Sequence, residues 1–160
     1  MAKLVNELSW SRSRMSTFRR CRRQYYFQYY QKWEGWDWSA PEEKKKAYFF
    51  SKMTDLPMLV GDAVHKTIKH ILEDYRDNGE VTIENPALLA RKAMAAVWTD
   101  ALEEKWKRPG MLKTAPPVFE IYYDQKPSAA DLKALGARAG ACVDRFLTSD
   151  LFAALKRDDV

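Results

Sequence analysis

Cysteine and histidine are scarce in this chain, with two of each among 160 residues. Cys21 and Cys142 lie far apart, and no CxxC pair or Cys/His group has the spacing of a zinc finger. A disulfide framework is also disfavoured, because the chain shows no secretion signal. The usual cysteine-based ways of stabilising a small fold are therefore not indicated.

Long apolar runs are also missing. No stretch approaches the roughly 20 residues of a membrane span, and the first seven residues contain no apolar core of a signal peptide. Apolar residues nevertheless make up 46% of the chain, a content that disfavours disorder. We expect one folded helical region over residues 1–160, in the cytoplasm and without a membrane partner.

Positive charge is concentrated near the start of the chain. Residues 1–50 hold eleven Lys/Arg and five Asp/Glu, whereas residues 51–160 hold sixteen and seventeen. The net charge of +5 therefore originates entirely in the first third. A localised basic region favours a polyanionic partner, most simply nucleic acid.

Apolar periodicity predicts a mainly α architecture. Helices are expected from Ser11 or Ser13 to about Trp33, from residue 42 to Lys52 with Pro57 as a breaker, and from Leu59–Gly61 to Asn78. Further helices are expected from Pro86 to about Lys107 with Asn85 as the cap, from residue 129 to Leu147 after a capping box of Ser128 and Asp131, and from Ser149 to about Lys156. Val118–Tyr123 has strand propensity, so a minor strand is allowed there. Val60, Val64, Ile68, Leu72 and Tyr75 form the expected apolar stripe of the 59–78 helix.

The first helix combines an apolar face with a basic, aromatic one. Phe18, Cys21, Tyr25 and Tyr29 recur at helical spacing, and the neighbouring arc of the wheel carries Arg12, Arg19, Arg23, Tyr26 and Tyr30. Arginine forks bind phosphates and aromatic rings stack on unpaired bases. A nucleic-acid surface is one interpretation, and a solvated charged face beside a core stripe is the other.

His65 lies one helical turn after Gly61. A helical side chain leans back over the preceding turn, and here that turn carries no side chain. The gap leaves room for an ion or for a close approach by another element, and neutral imidazole is a good metal ligand. The alternative is an ordinary core or boundary histidine. His70 has no supporting pattern and is expected on the surface.

Two segments together resemble a known family. The first runs from Ser9-Trp10-Ser11 to Phe18-Arg19-Arg20-Cys21-Arg22-Arg23-Gln24-Tyr25-Tyr26-Phe27, and the second is Leu59-Val60-Gly61-Asp62-Ala63-Val64-His65-Lys66. In this order they resemble the opening helix and the Gly-x-x-x-His motif of RecB/AddB-like nucleases of the PD-(D/E)XK superfamily. The resemblance implies the helical N-terminal portion of an α/β nuclease domain whose catalytic sheet is largely absent here.

The resemblance also implies a site. His65 matches a histidine at the catalytic Mg²⁺ or Mn²⁺ ion, and Cys21 matches the first ligand of a 4Fe–4S cluster found in one branch of the family. That cluster needs three further cysteines, so it would require cysteines outside this chain. The implied function is metal-dependent DNA exonuclease activity of the kind used in DNA repair, on single- or double-stranded DNA. A helicase or the remainder of the nuclease domain would be the partner.

The family's other catalytic groups are an acidic residue after one strand and (D/E)-x-Lys on the next. Asp124-Gln125-Lys126 has the second spacing, but no preceding strand with an acidic residue is evident. The chain is therefore expected to be a truncated, inactive part of a nuclease. Two alternatives remain open: a non-enzymatic module that binds nucleic acid through Arg12, Arg19, Arg20, Arg22 and Arg23, and a helical domain whose basic face meets an acidic protein.

Overall fold

The computed structural model describes residues 6–7 and 9–156 and confirms a mainly α fold, with no strand among those residues. The chain divides into two compact units, Met1–Met53 and Thr54–Val160. The helices of the first unit are α1 (Arg12–Arg20), α2 (Arg22–Tyr26), a π-helical turn (Phe27–Gln31) and α3 (Glu42–Lys52). Those of the second are α4 (Leu56–Asn78), α5 (Pro86–Leu102), α6 (Phe119–Tyr122), α7 (Ala129–Leu147) and α8 (Asp150–Leu155). In the described part of the chain, no helix is long and apolar enough to cross a membrane.

The prediction of one continuous helix from Ser11 to Trp33 is wrong, because the helix is interrupted at Cys21. Ser11 caps α1 by accepting a hydrogen bond from the Arg14 amide at 3.1 Å, as the sequence predicts. Cys21 is then extended (φ −160°, ψ 110°), and its Sγ accepts the amide of Gln24 at 3.4 Å as the cap of α2. Cysteine is not among the favoured capping residues, which is why the sequence did not reveal this break.

Gly35 allows the turns after the π-helical segment to approach α3 closely. It is buried, and a Cβ at this position would lie 2.3 Å from the carbonyl oxygen of Lys44 and 2.6 Å from the Cβ of Tyr48. The Trp36 ring packs edge-on against the Tyr48 ring, with centroids 5.8 Å apart. These contacts fix the loop against α3 between Lys44 and Tyr48.

We expect Gly35→Ala to destabilise the first unit by about 1–3 kcal/mol, because the added methyl group overpacks against backbone atoms. Gly61→Ala is the matched control: its Cβ would meet nothing within 4 Å, so loss of a mid-helix glycine should stabilise α4 by about 0.5–1 kcal/mol. Amide hydrogen exchange measured separately for α3 and α4 checks both changes, since it reports local opening. Unchanged protection of α3 in Gly35→Ala would contradict the close approach.

In the second unit, α4 begins earlier than predicted, at Leu56. Asp55 caps it by accepting the amide hydrogen bond of Met58 at 2.8 Å, and Pro57 lies in the first turn. Proline has no amide hydrogen, but amides of the first turn have no partner within the helix anyway. Pro57 therefore starts this helix instead of ending the previous one. The helix stops as predicted at Gly79, whose φ is +75°.

The core of the second unit lies where α4, α5 and α7 pack together. The core residues of α4 are Leu56, Leu59, Val60, Ala63 and Ile71, and those of α5 are Ala90, Met94, Trp98 and Ala101. Ala139 and Val143 of α7 and Phe152 of α8 also belong to the core. The predicted α4 stripe is thus partly wrong. Val60 is buried, but Ile68 is half-buried and Leu72 is 38% exposed.

The segment from α5 to α7 also differs from expectation. α5 ends at Leu102 instead of Lys107, because Glu104 adopts a left-handed conformation (φ +50°) before a short 3₁₀ turn at Lys105–Lys107. The strand-like residues form the single-turn helix α6, and an isolated bridge joins Thr54 to Val118. The predicted capping box of Ser128 and Asp131 at α7 is confirmed, with the Asp131 amide 3.2 Å from the Ser128 hydroxyl.

Candidate functional site

The arginines of α1 and α2 form an exposed basic surface on the first unit. Among the described residues, no ion pair joins a carboxylate to any of Arg12, Arg19, Arg20, Arg22 and Arg23. Two of these side chains lie against aromatic rings, with the Arg22 guanidinium 5.4 Å from the Phe18 centroid and that of Arg23 5.8 Å from the Phe27 centroid. Guanidinium groups without carboxylate partners are available to bind phosphate.

Aromatic rings accompany these arginines, and they are more exposed than the sequence predicted. Phe18 is 42% exposed and Cys21 is also exposed, while Tyr25 and Tyr29 are half-buried. The buried residue of α1 is instead Thr17, whose hydroxyl donates to the Ser13 carbonyl. The prediction that this face packs into the core is therefore wrong, because its aromatic rings lie at the surface of the first unit.

Tyr26 and Tyr30 lie beside these arginines in a fixed arrangement. Their rings are nearly parallel, with centroids 6.5 Å apart, and the Tyr26 hydroxyl donates to Oε1 of Gln31 at 2.7 Å. The Tyr25 and Tyr30 hydroxyls lie 3.5 Å apart. That hydrogen bond, together with desolvation, raises the pKa of Tyr25 above its ordinary value. Tyr25 is thus a neutral ring, and the nearly parallel rings of Tyr26 and Tyr30 are suited to stacking.

Cys21 does not lie in a set of metal-binding thiols. Its thiol caps α2, and Cys142 is a second free, exposed cysteine on α7. A 4Fe–4S cluster needs four protein ligands, normally thiolates, and the chain has two cysteines. The residues present do not fit such a cluster.

His65 lies on an open face of α4. It is exposed and lines a groove of about 430 Å³ together with Ile68, Lys69, Leu72, Glu73 and Arg76. The turn below it has open space, since a Cβ at Gly61 would meet no atom within 4 Å. His70 is also exposed on the same helix.

The described residues do not by themselves form a site for Mg²⁺ or Mn²⁺. They contain no group of three His, Cys, Asp or Glu side chains that could hold a metal ion. The acidic groups of α4 near His65 pair with lysines: Asp62 lies 2.7 Å from Lys66, and Glu73 lies 3.6 Å from Lys69. Because Mg²⁺ requires several oxygen ligands, a single imidazole is not enough.

Asp124 and Lys126 do not reproduce the predicted strand arrangement. Asp124 follows α6 in a left-handed conformation (φ +54°), and its carboxylate is 3.8 Å from the Lys126 ammonium group. Both side chains are exposed. A metal ligand and a lysine side by side on a strand face would require extended backbone, which Asp124 does not have.

Trp10, part of the first family-like segment, is a surface residue whose position at a pocket the sequence did not indicate. It is 76% exposed and lines a pocket with Arg14, Phe18, Arg19 and Tyr30, among others. Trp10 directly precedes the cap Ser11, and Met15, another residue of this pocket, is four positions after that cap. These are the two positions of a hydrophobic staple, a signal that links Trp10 to α1.

The molecule is thus a helical protein with a basic, aromatic surface on one unit and an open, histidine-bearing helix face on the other. A family model of the PD-(D/E)XK nuclease superfamily matches residues 9–148, and the chain belongs to that superfamily. Membership indicates a nuclease-type function on nucleic acid, and such nucleases generally use divalent metal ions such as Mg²⁺. No curated protein and no solved structure gives a significant match.

Proposed function

We propose that this chain is the helical N-terminal part of a metal-dependent, RecB-like DNA exonuclease that hydrolyses phosphodiester bonds. The observation that supports this most directly is the open face of α4, where His65 lies above Gly61. In this proposal, His65 contributes one ligand to a Mg²⁺ or Mn²⁺ site. Acidic groups other than the described residues supply the remaining ligands, so the 160 residues alone are inactive.

The arrangement of side chains around α4 supports this role. On a helical wheel, Gly61, His65, Ile68 and Leu72 fall within an arc of about 60°, roughly opposite the buried stripe. A surface helix normally has a single apolar stripe, whereas α4 has a second one around an imidazole. A catalytic sheet that covered this second stripe would bring its carboxylates close to His65.

The direct test is cleavage by the protein at the length that its gene encodes, on single-stranded and double-stranded DNA with Mg²⁺ or Mn²⁺. We expect cleavage that requires the metal and stops on chelation, and none from the 160 residues alone. Binding of DNA without any metal-dependent cleavage would contradict the nuclease proposal. The remainder of the nuclease domain and a helicase stay predicted partners.

A non-enzymatic module that binds nucleic acid is the second candidate. The five exposed arginines favour it, since no ion pair among the described residues engages them. The incomplete metal site also favours a function without catalysis. This candidate and the nuclease share the same binding surface. Cleavage, rather than binding, therefore distinguishes the two.

We expect the double substitution Arg19→Ala/Arg23→Ala to weaken DNA binding and to reduce the slope of log K against log salt by about one unit per lost phosphate contact. The matched control is Arg138→Ala/Arg145→Ala, which removes two exposed arginines from α7 in the other unit. Fluorescence anisotropy over a salt series measures both slopes. Equal slopes for the two double variants would rule out the α1–α2 surface as the phosphate-binding site.

A further inference from the structure

The first unit contains an aromatic pocket beside its basic surface. The pocket has a volume of about 700 Å³, and its lining includes Trp10, Arg14, Phe18, Arg19, Tyr25 and Tyr30. We propose that it binds one unpaired nucleobase, so that single-stranded nucleic acid is the preferred ligand of this chain. This inference rests on the proposed nucleic-acid function and goes beyond it by specifying the kind of strand.

The helix break at Cys21 creates the inner wall of this pocket. Phe18 and Tyr25 are seven residues apart, a separation of about 10 Å along the axis of a continuous α-helix. In the structure their ring centroids are 5.3 Å apart and the rings meet edge to face. The Tyr30 ring lies 5.7 Å from that of Tyr25. The break therefore gathers rings that a straight helix would keep apart.

Two hydrogen bonds hold residues that precede Trp10, and a cation–π contact holds the donor of one of them. The Asn6 side-chain amide donates to the Tyr29 carbonyl at 3.0 Å, and the Arg14 guanidinium donates to the Ser9 carbonyl at 3.0 Å. The same guanidinium lies 4.6 Å from the centroid of the Tyr29 ring. These contacts flank Trp10 and fix the backbone beside it. The pocket is therefore preorganised, which reduces the entropy cost of binding a ligand.

The chemistry of the lining selects an unpaired base. The Trp10 indole is 76% exposed, and exposed aromatic rings beside basic groups serve as stacking platforms for single strands. Arg19 at the same pocket is exposed, and its guanidinium is suited to the phosphate that accompanies a bound base. The volume is within the range of small-molecule sites. A base inside a duplex is paired and stacked on both faces, so it cannot enter.

The test compares Trp10→Ala with Trp38→Ala. Trp38 is 85% exposed in the same unit but does not line the pocket. The probes are a fluorescein-labelled oligothymidylate and a blunt DNA duplex, both measured by anisotropy at the same salt concentration. Loss of one stacked base should weaken binding of the single strand by about tenfold. Duplex affinity should remain within a factor of two, and Trp38→Ala should change neither.

A third variant separates stacking from folding. Trp10→Phe keeps an aromatic ring and should restore most of the single-strand affinity, whereas a structural effect of Trp10→Ala would lower the affinity for both probes. Quenching of an oligonucleotide that contains 2-aminopurine gives an independent signal of stacking, and Trp10→Ala should reduce it. Equal single-strand affinity of Trp10→Ala and Trp38→Ala, or equal losses on both probes, would overturn the base pocket.

The arginine variants distinguish failure of the pocket from failure of the wider proposal. If Trp10→Ala has no effect while Arg19→Ala/Arg23→Ala weakens both probes, the nucleic-acid surface stands and the base pocket is overturned. If the unsubstituted chain binds neither probe, the base pocket and the binding surface on which it depends both fail. Metal-dependent cleavage is measured separately and does not enter this comparison.

Discussion

His65→Ala should lower metal-dependent DNA cleavage by the gene-encoded protein by at least about 100-fold. Groups that only hydrogen-bond to a metal ligand typically contribute 10- to 100-fold to metal affinity or activity, and loss of the ligand itself should cost at least as much. His65 is exposed above the open turn at Gly61, so its loss should leave the fold intact. The measurement is kcat over a series of Mn²⁺ concentrations, together with thermal unfolding. Partial recovery at high Mn²⁺ would indicate weakened metal binding.

His70→Ala is the matched control for this prediction. His70 is exposed on the same helix, but five residues rotate it about 140° around the axis, away from the His65 face. Its replacement should leave cleavage within a factor of two. Full activity of His65→Ala, or an equal loss in both variants, would remove His65 from the metal site.

Phe152→Ala should destabilise the second unit by about 3–5 kcal/mol, the usual cost of deleting a buried aromatic ring. Phe152 is 1% exposed, and its ring lies 5.1 Å from that of Phe146 and 6.0 Å from that of Tyr75. It is the buried residue of the six-residue helix α8, so it anchors that helix to the core. Urea unfolding followed by circular dichroism measures the change.

Leu151→Ala provides the comparison at the neighbouring position. Leu151 is 65% exposed, and surface substitutions of this kind usually change the free energy of unfolding by less than about 0.5 kcal/mol. Hydrogen exchange should show whether α8 detaches alone in Phe152→Ala or whether the whole unit is destabilised. A loss below 1 kcal/mol by both measurements would contradict the anchoring role of Phe152.

The sequence predicted helix ends well where the capping signal is local. Asn85 with Pro86, Ser128 with Asp131, and Ser149 all cap the helices that they were expected to begin. In each case a side-chain oxygen accepts a hydrogen bond from the backbone amide three positions later. Such bonds depend on neighbouring residues alone, so they can be predicted without knowledge of the packing.

The predictions failed where distant residues determine the conformation. Val118 has strand propensity, but without a full partner strand its pairing stops at one bridge to Thr54 and a helical turn follows. The candidate Asp124–Lys126 pair lost its strand geometry for the same reason. Similarly, the exposed position of Phe18 follows from the break at Cys21, which no strong local signal marks.

The sequence alone determined the helical class, most of the capped helix ends, the location of the basic residues and the motif that indicated a PD-(D/E)XK nuclease. Tertiary structure decided which face of α4 is buried. Apolar residues occur on both sides of that helix, so periodicity could not show whether Ile71 or Leu72 belongs to the core. Packing of α5 and α7 against Val60, Ala63 and Ile71 left Ile68 and Leu72 beside His65, because burial depends on which surface finds a partner.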